Sequence, residues 1–574
     1  MSRRWTIPLA VAAVTSLCFL PAVSGTFLNW DDDVNFRHNS AYRGLGWEQL
    51  RWAFTSVLFG HYIPLTRLTF SVNYALGGLD PLGYHLLNVL LHGANAALLY
   101  VVARRVLSAA VDAGRQDRRN DVDVCAAAAV AALVFGVHPL RVEPVAWITG
   151  RADLLCTTFV LASSWAYLRT VEATGPARRR LLLASTLALA AALLSKGAAL
   201  PLPAAFLLLD VYPLRRPRRE RLLALVREKL PLLVVAAAAG LVNMYASRHG
   251  AVLTAAADHD AVARLTVAAY SFVMSAARFV WPSGLLPLYE MPGSVTPLQP
   301  RFALAVGALV LVTTVLIVLR RRWPGGLAAW TFSALMLAPI SVAVRKTTDL
   351  APDRYSYLAG LGFALAAGGA VLGVAGLVRR GVLARRVGQL TATACVVAIV
   401  GLGVVSWSTS EMWRDPETLW RWAIEWDPAC SVCHSKLGES VLGDPARPER
   451  AAEAEGLFRR AITLRPDRPG AYFNLGTALL VQGRYVEAES PLQRFIERVP
   501  RSALGPERLG RAYLLQQRFE AAIPLLRTAL TRQPDMPEFR AYLSEALEGR
   551  ARELEARGLV SEAAPFLAES RRLR

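Results

Sequence analysis

Four short stretches of this chain place acids and bases where they could do chemistry, and a fifth sets two thiols beside an imidazole. The first is Asn29-Trp30-Asp31-Asp32-Asp33-Val34-Asn35-Phe36. Three adjacent carboxylates repel one another, so at least one is expected to hold its proton to higher pH unless a cation or metal compensates. Such a carboxylate can act as a general base on an acceptor hydroxyl. The same residues also suit a solvated acidic loop. The second stretch, His138 to Asp153, contains Arg141, Glu143, Trp147, Arg151 and Asp153. Arg141 and Arg151 could grip a phosphate through forked hydrogen bonds, or pair with Glu143 and Asp153 merely to fix a loop. His138 alone reads as a helix-end histidine, and no His/Cys spacing here suggests zinc. The third is Lys196 in Ser195-Lys196-Gly197, and the fourth is Asp353-Arg354-Tyr355-Ser356-Tyr357. A snorkelling cation explains Lys196 well. It explains Arg354 less well, because Asp353 and two tyrosines accompany it. The fifth, Cys430-Ser431-Val432-Cys433-His434, spells the c-type haem attachment pattern. His434 falls at a packing position of a repeat helix, and no second axial ligand is indicated nearby. A local disulfide, or two ordinary packing cysteines, is therefore the preferred reading, and no cofactor is firmly implied.

The elements that must position these residues are membrane helices. The chain has 574 residues, 54% of them hydrophobic, too apolar for one water-soluble domain of this size. Its net charge of +20 could suggest a nucleic-acid binder. The placement argues against that: arginines cluster at Arg104–Arg105, Arg178–Arg180, Arg215–Arg221, Arg320–Arg322 and Arg379–Arg386, between long apolar stretches. Basic runs beside spans of about 20 apolar residues mark cytoplasmic loops. Hydropathy predicts about eleven spans, near 5–24, 83–104, 124–138, 152–170, 181–195, 199–213, 230–247, 302–319, 326–344, 355–378 and 390–409. The apolar stretch 264–281 is read as a surface or re-entrant helix, since a full span there would reverse every later loop. The N-terminus is then cytoplasmic, held by an uncleaved first helix rather than a signal peptide. The four chemical stretches in the first 410 residues all fall outside. The first outer loop, 25–82, carries the aromatic stretch His61–Leu76, expected to lie along the membrane surface. Cys18, Cys125, Cys156 and Cys395 lie in apolar stretches as small hydrophobes.

From about residue 411 the composition becomes that of soluble helices. Pro466, Pro500 and Pro534 are 34 residues apart, and Leu475/Leu509, Gly476/Gly510 and Ala488/Ala522 repeat at the same period. Leu437 and Gly438 fit one repeat earlier, after allowing four extra residues around Gly443–Glu449. This period and phasing is the tetratricopeptide signature. Residues 415–427 look like half a unit and 537–570 like a terminal one. The expected fold class is all-α: a multi-span membrane domain over 1–410 and a repeat solenoid over 411–574.

These residues resemble the transmembrane and tetratricopeptide repeat-containing O-mannosyltransferases. Asn29–Phe36 is similar to their Trp-Asp-Asp element after the first span. His138–Leu155 is similar to their His-Pro…Gly-Arg-Ala-Asp-Leu-Leu stretch, and is the most specific piece. Ser195-Lys196 followed by Pro201–Tyr212, Asp353–Leu358 and Tyr62–Phe70 resemble further motifs, and the repeats complete the order of parts. The resemblance implies a C-type glycosyltransferase fold with its site in outer loops. It implies a polyprenyl-phosphate sugar donor, typically mannose, and inversion at the sugar carbon. Asp31 and Asp32 are the candidates for the catalytic base, with no choice between them. Arg141, Arg151, Lys196 and Arg354 would neutralise the lipid phosphate, supported by Trp30, His138, Glu143, Asp153, Asp353 and Tyr355. The repeats would grip a protein or glycan acceptor, in the inner membrane of a bacterium. The short array and the third carboxylate, Asp33, depart from the pattern and leave sugar, acceptor and any divalent metal open. The alternatives are a ligase or polymerase of lipid-linked glycans, or a non-enzymatic membrane-anchored scaffold for envelope complexes.

Overall fold

The chain divides into two compact units, one ending at Leu419 and the other beginning at Trp420. The computed structural model describes residues 5–111, 118–218, 220–249, 260–339, 349–443 and 448–574. Arg219 in its basic run, residues 340–344 of the ninth expected span, the start of the outer segment at Arg345 and most of the insertion at 444–447 lie outside the described residues. Among the described residues the regular elements are all helical, and β pairing is limited to two isolated bridges, Leu58–His61 and Glu290–Asp349.

The first unit contains α1 (Thr6–Cys18), α2 (Trp47–Thr55), α3 (Pro64–Gly77), α4 (Pro81–Ala110), α5 (Arg118–Gly136), α6 (Val142–Ala146), α7 (Arg151–Thr170) and α8 (Gly175–Ser195). It continues with α9 (Leu202–Val211), α10 (Leu222–Glu228), α11 (Leu230–His249), α12 (Ala261–Val280), α13 (Pro300–Val318), α14 (Pro324–Leu337), α15 (Ser356–Arg379) and α16 (Arg385–Met412). Every expected span is built on a helix. Among the described residues five are long and apolar enough to cross a membrane: Pro81–Ala110, Leu230–Arg248, Pro300–Arg321, Asp353–Arg379 and Arg385–Met412. Asp121–Gly136 and Pro139–Ala146, bent by 56°, make a sixth if they form one broken span. Thr6–Cys18 and Gly197–Val211 are apolar but shorter. The hydrocarbon layer needs about 20 helical residues at 1.5 Å each, so these two gain a crossing only by extending into their flanking turns. α12, set apart from the spans by the sequence reading, is a 20-residue helix.

α4 is the centre of this unit, with much of its length buried. Asp80 caps it by accepting from the Leu82 N–H at 3.0 Å, and Pro81 supplies the fixed φ of a first turn. By contrast α13 and α16 leave leucines and valines such as Leu304, Val310, Val397 and Val404 exposed. That is the face a lipid-contacting helix shows. The ends of α1 and α8 and the starts of α4, α7 and α15 meet at one end of the bundle, where the expected site residues lie. Gly150 makes the tight entry to α7 there. A Cβ on it would stand 2.5 Å from the Pro144 carbonyl oxygen, so only glycine permits this turn.

The second unit stacks helical hairpins: Ser431–Leu442 with Ala451–Leu464, Pro469–Val481 with Tyr485–Arg498, Leu504–Leu515 with Phe519–Arg532, and Pro537–Ala556 with Val560–Leu573. The period in the sequence is a packing period. Cβ atoms on Gly438, Gly476 and Gly510 would come within 2.6, 2.5 and 2.8 Å of Phe458, Leu492 and Leu526. Ala454, Ala488 and Ala522 are fully buried. Small residues at these points let the two helices of each hairpin close on one another.

Candidate functional site

A cavity of about 540 Å³ opens where these helix ends meet, and it separates the two candidate bases. Asp31 lines it; Asp32 does not. Asp32 is fully buried, with Oδ2 accepting from the Leu28 N–H at 2.9 Å and Oδ1 from the Thr149 hydroxyl at 2.7 Å. Burial pushes its carboxyl up to about 7, against those two hydrogen bonds and with a small further push from Asp31. Thr149 in turn accepts from the Asn35 amide at 3.0 Å. Asp32, Thr149 and Asn35 thus tie the acidic turn to the start of α7, and Asn35 and Thr149 also line the cavity. Phe36 is buried behind them among Phe27, Tyr42, Phe70 and Tyr84. Trp30 is half-buried beside Asp31 and outside the cavity lining.

Two of the four expected phosphate-binding cations reach the cavity. The Lys196 ammonium donates to both Asp153 oxygens, at 2.7 and 2.6 Å, and lies 5.8 Å from the Tyr355 ring centre. The Arg354 guanidinium pairs with Glu143, whose second oxygen accepts the Arg354 backbone N–H at 2.7 Å. Its charge also lies 5.4 Å from the Trp147 ring centre and 5.2 Å from that of Tyr355. Asp349 is 3.6 Å from Arg354 and buried, and burial pushes its carboxyl up to about 7. Lys196, Asp153, Arg354, Trp147 and Tyr355 all line the cavity with Asp31. Both cations therefore face the cavity through partners that already hold them, which fixes their positions before any ligand arrives.

The other two cations are elsewhere. Arg151 is fully buried and spends its donors on neutral groups: the Asn88 side-chain oxygen at 2.8 Å, the Asn73 side-chain oxygen at 2.5 Å and the Tyr84 carbonyl at 2.8 Å. Its guanidinium lies 4.6 Å from the Phe70 ring centre. Arg141 is equally buried, donating to the Ser356 carbonyl at 2.9 Å between the rings of Phe135 and Tyr357. Of the four cations expected to neutralise a lipid phosphate, these two are therefore not brought into the lining; both knit helices together behind its wall. Asp353 likewise turns away, to Arg278 at 3.0 Å and the Tyr289 hydroxyl at 2.9 Å. His138 caps a turn, accepting from the Leu140 N–H at 3.1 Å and meeting the Phe279 carbonyl at 2.9 Å, with its ring stacked on Phe279.

Several lining residues were not singled out as site residues in the sequence. Arg67 donates to the Ser56 carbonyl at 2.6 Å and the His61 carbonyl at 3.1 Å, closing the 56–61 turn over the cavity. Arg248 and Asn243 come from α11. The signal that could have flagged the Arg151 anchor is Asn73 and Asn88, amides inside apolar helices that need buried partners. Among the described residues no three His, Cys, Asp or Glu side chains converge as a metal site would require. In the second unit Cys430 and Cys433 are joined in a disulfide at a helix start, with the His434 Nδ1 2.8 Å from the Cys430 carbonyl.

The geometry supplies a carboxylate, two anchored cations and an aromatic wall around a volume that suits a small polar headgroup. The tetratricopeptide repeat family model matches residues 448–503 and 507–571. The chain is 35% identical over 175 residues to "Protein O-mannosyl-transferase TMTC4" of Mus musculus, covering 29% of this chain and 23% of that one. It is 37% identical over 169 residues to the Homo sapiens TMTC4 protein, covering 28% and 22%. It is 40% identical over 125 residues to "Protein O-mannosyl-transferase Tmtc3" of Drosophila melanogaster, covering 21% and 13%. The chain thus spans less than a quarter of the length of these curated relatives. Solved structures align weakly. A crystal structure of MamA is 20% identical over 27% of this chain and 85% of its own, at a TM-score of 0.23. An APC/C Cut9–Hcn1 complex is 13% identical over 88% of this chain and 97% of its own, at 0.25.

Proposed function

We propose that this chain, a homologue of proteins named TMTC O-mannosyl-transferases, is a membrane glycosyltransferase that moves a sugar from a polyprenyl-phosphate carrier to a hydroxyl of a protein acceptor. By that relationship the sugar is mannose. One observation carries the reading: a single cavity gathers Asp31, Lys196 and Arg354 from three separate parts of the chain. In this reading Asp31 takes the proton of the acceptor hydroxyl as its oxygen bonds to the anomeric carbon. The bond from that carbon to the phosphate oxygen breaks on the opposite face, so configuration inverts, and the electron pair leaves on the lipid phosphate. Lys196 and Arg354, preset by Asp153 and Glu143, stabilise that developing charge, and each such donor contributes on the order of 3 kcal/mol. Asp32 holds the acidic turn in place from behind.

The same elements support one sidedness. The starts of α4, α7 and α15 lie at the cavity, whereas Arg104–Arg105 and Arg379–Arg380 stand at the far ends of α4 and α15. The positive-inside rule then favours an extracytoplasmic cavity. The Thr26 N–H donates to the Arg414 carbonyl at 2.8 Å, so α16 returns the chain to the cavity side before the repeats begin. In this orientation the protein is a multi-pass inner-membrane protein with extracytoplasmic repeats that engage the acceptor.

The test is sugar transfer from mannosyl-phosphopolyprenol in membranes carrying wild type, Asp31→Asn, Asp32→Asn or Lys196→Ala. Asp31→Asn is expected to slow transfer by about 10² to 10⁴ and Lys196→Ala by about 10² to 10³. Transfer by Asp31→Asn at the wild-type rate would refute the reading.

A further inference from the structure

A second and larger cavity, about 1040 Å³, lies at the other end of the same bundle, walled by α4, α7, α9, α14 and α15. We propose that it is a binding groove for an anionic phospholipid, separate from the donor site, with its acyl chains along the apolar walls and its phosphate held by Arg322 and Arg380. The volume is at the upper end of the roughly 300–1,000 Å³ of ordinary ligand sites. The walls are hydrocarbon from residues such as Leu99, Val160, Leu208 and Leu365. The floor is α15, where among the described residues Gly369 would bring an added Cβ no closer than 3.9 Å to Leu107, and Gly373 and Gly376 would meet nothing within 4 Å. A helix that packed protein here would bring atoms to those positions. The space is open to something else.

The charge sits at one end only. Arg322, Arg379 and Arg380 line the groove beside Trp323 and Tyr212. Arg379 lies 3.1 Å from Asp123. Arg322 and Arg380 are exposed, and among the described residues neither has a carboxylate partner. A long apolar slot ending in two such arginines and interfacial aromatics complements a lipid whose phosphate sits at the membrane surface. It does not complement the donor bound for transfer: Arg354 and Arg380 are separated by α15, roughly 35 Å of helix, so the phosphate here lies on the membrane face opposite Asp31.

The full-length protein is reconstituted with equimolar phosphatidylglycerol and phosphatidylcholine, re-extracted in mild detergent, and its retained lipid quantified by native mass spectrometry. Wild type is expected to retain phosphatidylglycerol preferentially. Each arginine near an anionic surface is worth roughly fivefold in affinity, so Arg322→Gln with Arg380→Gln should erase most of the preference. Arg385→Gln with Arg386→Gln, equally basic but outside the groove lining, should leave it intact. Gly373→Phe should reduce retention of both lipids by filling the slot, while monodispersity and the far-ultraviolet circular dichroism spectrum report that the fold survives. Equal loss in the two arginine pairs would reduce the effect to general surface charge and overturn the proposal. Unchanged retention in Gly373→Phe would overturn it as well, as would a wild type that retains both lipids equally. None of these readouts depends on sugar transfer, so the transferase reading can fail without this one.

Discussion

Arg151 shows how much a residue's role depends on what surrounds it. It reads as a phosphate ligand in the sequence, yet its donors end on two asparagine side chains and a carbonyl inside the bundle. A buried guanidinium with neutral acceptors stabilises by satisfying them, and removing it strands them. Arg151→Met is therefore expected to destabilise the protein by about 3 kcal/mol, seen as a lower unfolding midpoint in detergent. In the folded fraction the KM for the lipid donor should be unchanged, and a raised KM with wild-type stability would restore Arg151 to the site. Asp32 makes the second prediction at this scale. Its carboxyl, pushed up to about 7 by burial, keeps its proton where an unfolded aspartate near 3.8 has lost it. The folded state thus binds more protons between those values, so Asp32 lowers stability as pH rises from about 4 to about 7. The cost is on the order of 4 kcal/mol at most. Asp349 acts in the same direction. Asp32→Asn should flatten the fall of Tm between pH 4 and 7, and a slope identical to wild type would show that Asp32 is ionised throughout.

The helices themselves are where the sequence is most informative, and the repeats show why. Gly476 recurs because Leu492 occupies the space its side chain would need, whereas Gly470, at the start of the same helix, would meet nothing within 4 Å. Gly476→Ala should destabilise the repeat unit by about 1–3 kcal/mol. Gly470→Ala should be neutral or slightly stabilising, since alanine is the better helix former. Urea unfolding of residues 415–574 followed by circular dichroism decides, and equal midpoints for the two variants would remove the packing explanation. Periodicity exposes such positions because every repeat solves the same packing problem. Hydropathy likewise exposes the spans, since a lipid-facing helix must be apolar along its length. Short apolar helices such as α1 reach a crossing length only together with their flanking turns. What no periodicity encodes is direction: Arg151 and Lys196 both sit at helix ends, and only the packing of α3 and α4 against α7 sends one inward while Asp153 holds the other at the cavity. Asp31 and Asp32 are neighbours in sequence, and the Leu28 and Thr149 hydrogen bonds hold Asp32 on the side away from the cavity.

At the scale of the whole molecule, the catalytic reading and the lipid groove both require that the two ends of one bundle face opposite sides of a membrane. Ser40 lies shortly after the acidic turn, Arg385 begins α16, and Glu555 lies in the last repeat hairpin; all three are exposed. With Cys18, Cys125, Cys156 and Cys395 replaced by alanine, single cysteines at these three positions can be probed in intact cells with a membrane-impermeant maleimide. Cys430 and Cys433 stay in their disulfide. Positions 40 and 555 should label in intact cells, and position 385 only after the membrane is opened. The arginine runs predict that polarity, because cationic loops are retained on the cytoplasmic side, and the Thr26–Arg414 hydrogen bond ties the end of α16 to the segment that follows α1. Labelling of positions 40 and 385 from the same side would mean that α15 does not carry the chain across. Asp31 and the arginine-ended groove would then share one face, and a lipid-linked donor would have no separate compartment in which to meet an acceptor protein.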